Sequence, residues 1–120
     1  MKYFLISLLL FAFSSCSVAQ QRYSSKNKKA IKLFEAGKAE PGLSIDYTTN
    51  GPNFKGGIAL MDKALEKDPN FWEAHMIAGE FAEMLKDYPS AIDHYKAALA
   101  INPKHSSTGS TYFYLANLQQ

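Results

Sequence analysis

Cysteine is almost missing from this sequence. Cys16 is the only one in 120 residues, so no disulfide can form within the chain and the fold must hold without covalent staples. Charge of one sign is missing too. Thirteen Lys and Arg face eleven Asp and Glu, a near-balance that gives no electrostatic case for nucleic-acid binding. No apolar run reaches the ~20 residues of a membrane-spanning helix; the longest, residues 3–13, covers about half of that.

The spacings that carry catalysis and metal binding are also lacking. Gly56-Gly57 has no Gly-x4-Gly-Lys-Ser/Thr pattern around it and is no phosphate cradle. No Ser/His/Asp or Cys/His set has local support. His75 lies two residues from Glu73 and five from Glu80, offsets that put the side chains on different sides of a helix. His75 is therefore expected as a core aromatic, and His94, beside Tyr95, as partly exposed. The segment 46–57 begins like a calcium loop, with Asp46, Thr48, Asn50 and Gly51 at the first, third, fifth and sixth positions. Gly57 stands where the twelfth position requires a bidentate Glu. No enzyme, cofactor or metal is expected.

What is present begins with "MKYFLISLLLFAFSSCSVAQ": one Lys, an apolar stretch, then small residues, the layout of a secretory signal peptide over residues 1–19. Two processing routes stay open. Ser17 and Ala19 suit cleavage before Gln20. Ser14-Ser15-Cys16 resembles a bacterial lipobox, with Phe13 where that motif usually has Leu, and would make Cys16 a lipidated N-terminus. Either route predicts an exported chain, periplasmic or associated with the outer membrane. Residues 20–26 are basic and are expected as a solvated lead-in.

The rest of the chain repeats itself. "GIALMDKALEKDPN" at 57–70 aligns with "AIDHYKAALAINPK" at 91–104, an offset of 34 residues. Ile58, Ala64, Leu65 and Pro69 meet Ile92, Ala98, Leu99 and Pro103. Gly57 and Ala91 are both small, and Met61 and Tyr95 both large. Between the copies, Ala74, Ile77, Ala78, Phe81, Ala82 and Leu85 fall on one helical stripe. Pro89 can open the next helix, and Asn102-Pro103 stops it. Residues 72–102 are expected as an antiparallel helix pair.

This period and these anchors resemble the tetratricopeptide repeat. The family's slots hold His75, Ala78-Gly79, Ala82, Ala91, Tyr95, Ala98 and Pro103 here. His75, Ala78 and Ala82 stand where the family has Trp, Leu and Tyr, and Phe71 and Trp72 could supply the lost bulk. The resemblance implies an all-α solenoid of about two and a half repeats. A divergent pair is expected over 27–71 with a long loop at about 40–54, a repeat over 72–105, and an insert plus an incomplete third repeat over 106–120, with Tyr112 and Leu115 near its anchor slots. An incomplete last repeat suggests the N-terminal piece of a longer protein, or self-association through the unpaired C-terminal helix.

Proteins of this family are interaction scaffolds, and their first helices line a concave groove. The corresponding positions are Glu73, Met76, Glu80, Glu83 and Met84, acidic or apolar, suited to a basic or amphipathic partner segment and unsuited to clamping a carboxylate. The order of features also resembles Bacteroidota-type envelope proteins in which repeats precede a β-propeller and an OmpA-like domain. Two functions follow from these resemblances: a protein-binding scaffold of the bacterial envelope, or a small free-standing periplasmic chaperone-like binder of extended peptides.

Overall fold

The computed structural model describes residues 22–103, 111 and 115–118. The leader-like segment with Cys16, the polar insert after Pro103 and the Tyr112 slot lie outside the described residues. Four helices follow in order: α1 Lys28–Leu43, α2 Phe54–Lys67, α3 Trp72–Met84 and α4 Tyr88–Ile101. A short hairpin, β1 Ile45–Asp46 and β2 Gly51–Pro52, sits between α1 and α2. It pairs Ile45 with Pro52 and Asp46 with Gly51 in antiparallel register. Each helix packs on its neighbour in sequence. The result is an all-α helical repeat, as the periodicity implies. Among the described residues no helix is long and apolar enough to cross a membrane.

Local chemistry sets most helix starts. Asn27 accepts hydrogen bonds from the Lys29 and Ala30 amides at 3.0 and 3.1 Å. Asn53 accepts from Gly56 at 3.0 Å, and Asp87 from Ser90 at 3.4 Å. These contacts satisfy amides that the first turn leaves without helical partners. Phe71, at the start of α3, has no side chain able to do this. Ser24, 48 residues before Trp72, supplies the bond instead: its Oγ accepts from the Trp72 amide at 3.2 Å.

The lead-in exposes Arg22, Ser24 and Lys26, yet it is also tied to the helices. Ser24 also donates its amide to Glu73 at 2.9 Å and its hydroxyl to the same carboxylate. The Tyr23 ring packs against Phe34 and Phe71 at 5.0 and 6.0 Å, and its hydroxyl donates to Glu35. Asn27 donates to the Lys67 carbonyl at 3.3 Å. Polar composition concealed a strap tying the starts of α1 and α3 to the end of α2.

The loop expected at about 40–54 is shorter and more ordered. α1 runs through Pro41 to Leu43, because a proline in the final turn costs one amide bond, that to the Gly37 carbonyl. Gly37 lies where α1 crosses α2. A Cβ built there would stand 3.0 Å from the Gly57 carbonyl, and one on Gly57 would meet Gly37 O at 3.0 Å. Two glycines let the backbones touch.

Two cores flank α3. Ala30, Phe34, Met61, Ala64, Phe71, Ala74 and Ala78 form one. Trp72, Met76, Ala82, Ala91, Tyr95, Ala98 and Leu115 form the other. The adjacent aromatics Phe71 and Trp72 are divided between them. Residues 115–118 are helical again, and Leu115 is buried against α3's second side.

Gly79 is a tight contact between α3 and α4. A Cβ there would fall 2.6 Å from Tyr95 Cε1, and Tyr95 is fully buried with its hydroxyl donated to Glu83. Gly79→Ala should therefore lose roughly 1–3 kcal/mol in urea unfolding through overpacking. Gly42, also helical and with nothing within 4 Å, should gain about 0.4–1 kcal/mol as Ala. Equal effects of the two substitutions would refute the close-packing account. Ser24→Ala should cost about 1 kcal/mol by removing the cap, whereas a merely solvated lead-in would leave stability unchanged.

Candidate functional site

α3 carries all five residues expected to line a groove, but the structure divides them. Its first half is closed. Met76 is 7% exposed and its sulfur receives the Thr111 hydroxyl at 3.6 Å, so it is core, not groove lining. Glu73 is held by both donors of Ser24, so its carboxylate serves the strap. In each case a segment distant in sequence contacts the position.

The second half of α3 is open. Glu80, Glu83 and Met84 meet Phe54 and Phe81 around a shallow cleft of about 330 Å³. Phe54, which begins α2, packs against Phe81 with ring centroids 5.3 Å apart. An adjoining depression of about 290 Å³ shares Phe54 and Met84 and is completed by Thr49, Gly51, Pro52, Leu85 and Lys86. Met84, 63% exposed, forms the rim between them.

The turn after α3 shapes this rim. Lys86 has φ of 59°, a left-handed conformation that closes helices. The Asp87 amide then reaches back to the Ala82 carbonyl at 2.9 Å, turning the chain straight into α4. The hairpin on the other side is organised by Asp46, whose Oδ1 accepts from the Thr48 amide at 2.9 Å and hydroxyl at 2.6 Å. The Thr48 hydroxyl is the chief reason this carboxyl lies below the ordinary range. The would-be calcium ligand is a turn former.

The charges of the cleft are not matched internally. Glu80 lies three residues before Glu83 on the same helix. Burial pushes the Glu80 carboxyl above the ordinary range, and repulsion from Glu83 adds to this, although much of the residue still meets water. Lys55 is 4.0 Å from Asp46, on the hairpin side. Glu83 receives the Tyr95 hydroxyl.

A second feature was not visible in the sequence. His75 is not a plain core aromatic: its Nδ1 lies 3.2 Å from His94 Nδ1, and its Nε2 lies 3.2 Å from the Pro69 carbonyl. A carbonyl only accepts, so Nε2 carries the His75 proton. Neutral His75 then accepts at Nδ1 from His94 Nδ1–H. The separation of 19 residues gives no helical spacing by which the pair could have been found. Among the described residues no group of three or more His, Cys, Asp and Glu could hold a metal ion.

The remaining repeat positions are packed. Gly57, Met61, Ala64, Ala78, Gly79, Ala82, Ala91, Tyr95 and Ala98 are buried, whereas Pro69 and Pro103 are exposed at helix ends.

Burial holds both histidines below their usual pKa. The folded chain therefore keeps them neutral where the unfolded chain begins to take up protons, near pH ~6.5. Stability should be fully present above that value and should fall as pH drops below it. His94→Gln should flatten this part of the thermal midpoint against pH. A wild-type midpoint level from pH 7 to 5 would rule out the neutral pair.

Comparison with known proteins adds one finding. No curated protein matches the chain. Residues 53–106 match the family model of the tetratricopeptide repeat. That match spans α2, α3 and α4, the helices that build the cleft and the second core, and it agrees with the all-α helical repeat that the packed helices form.

Proposed function

We propose that this chain is a protein-interaction scaffold of the bacterial cell envelope, acting within a larger assembly or a longer chain. Tetratricopeptide repeats generally mediate binding between proteins, and the segment 53–106 matches that family. The observation that carries the reading is the open end of α3. There the two-sided core presents an apolar cleft with two carboxylates, Glu80 and Glu83. Large apolar side chains are also exposed at Met84 and Tyr88, 63% and 43%, and on the hairpin side at Leu43, Ile45 and Tyr47, 79%, 57% and 95%. Exposed apolar groups clustered beside a cleft favour partner binding. Export rests on the leader-like residues 1–19, and association with the outer membrane on lipidation at Cys16.

A photo-crosslinking residue placed at Met84 or Tyr88 of the full chain in its native cells should yield a discrete adduct in the envelope fraction. The same probe at Lys63, exposed on α2, should yield none. A smear of many adducts in the soluble fraction would instead favour a free-standing, chaperone-like binder. Absence of adducts from every position would contradict the scaffold.

A further inference from the structure

The two depressions beside Phe54 differ in what they lack. Their walls are apolar, supplied by Phe54, Phe81, Met84 and Pro52. The charge of the first is one-sided: Glu80 and Glu83 stand one turn apart in its wall, and among the described residues no cation pairs with Glu80. Like charges three residues apart on a helix repel. The nearby bases do not relieve this. Lys55 faces Asp46, and Lys86 lines the far depression. Glu83 has one oxygen engaged by Tyr95, which fixes the side chain and leaves its other oxygen for a second donor.

We propose that this cleft receives a basic protein segment, with two large apolar side chains seated on either side of the Phe54–Met84 rim and a lysine or arginine between Glu80 and Glu83. The inference rests on the protein-binding reading above and specifies the chemistry of the partner. It also moves the site. The partner docks at the hairpin end of α3, built from α2, α3 and the hairpin. At the opposite end Met76 is buried and bonded by Thr111, and Glu73 is engaged by the chain's own strap. A cation entering the cleft removes the repulsion between the carboxylates and meets them in a partly desolvated setting, where charge pairing is stronger than in water. An acidic segment would add a third negative group, so the cleft selects against it.

The test uses the full chain and two labelled synthetic peptides. Both carry the same pair of phenylalanines, one in a lysine and arginine background and the other in a glutamate background. Fluorescence anisotropy should show saturable binding of the basic peptide, weakening with added salt, and little binding of the acidic one. Glu80→Lys should weaken the basic peptide about tenfold, the range of a lost interfacial charge contact, and improve the acidic one. Met84→Ser, at an exposed position that leaves the core intact, should weaken the basic peptide without changing its charge preference. Unchanged affinity in both variants would overturn the site. Equal binding of the two peptides would overturn the charge selection. If the folded wild-type chain binds neither peptide, the inference fails; a discrete adduct at Met84 would then still uphold the scaffold, and loss of both results would remove the scaffold as well.

Discussion

The structure depends on α3 being packed from two sides at once. A helix with one core needs a single apolar stripe; this helix has a core on each flank and must keep both neighbours close. Ala74, Ala78, Gly79 and Ala82, all buried, make that approach feasible. The larger residues lie between and beyond these small positions: Trp72 and Met76 reach the second core, Ile77 packs on the first, and Phe81 and Met84 line the cleft. The same constraint explains Gly79 under Tyr95 and the glycine crossing of α1 and α2. Bulk removed from the middle of α3 is returned from outside it, by Phe71, Tyr95, Met61 and Phe34.

This division gives α3 two ends with different fates. The N-terminal end lacks its own cap and is completed by the strap through Ser24. The C-terminal end is left open between the hairpin and the turn at Lys86. A helix anchored at one end and exposed at the other suits a binding surface, because a backbone already ordered loses little freedom on meeting a partner.

Much of this was legible in the sequence, for physical reasons. The 34-residue offset between Gly57 and Ala91, and between Met61 and Tyr95, records inward-facing positions, and a helix pair must repeat those to stack. The apolar stripe on α3 and the stops at Pro69 and Pro103 are local effects and could be read directly. Contacts between distant segments could not. Ser24 and Glu73, Met76 and Thr111, and His75 and His94 meet only after folding, and their residue types are equally common on solvated surfaces. Positional analogy therefore placed Glu73 and Met76 in a groove, whereas Met76 is buried in the second core and Glu73 bonds Ser24. It named Glu80, Glu83 and Met84 without revealing Phe54 or the hairpin that complete their cleft. The hairpin itself was obscured by Pro41-Gly42, which read as a loop start although α1 absorbs both.

The central claim is that the hairpin end of α3 is where this scaffold meets its partner. Amide hydrogen exchange on the full chain, alone and bound to the protein crosslinked from the envelope, tests it most directly. The account predicts new protection confined to residues 49–54 and 80–86, with the strap and the first half of α3 unchanged. Protection centred on α1 or around Glu73, with 80–86 exchanging as in the free chain, would contradict it.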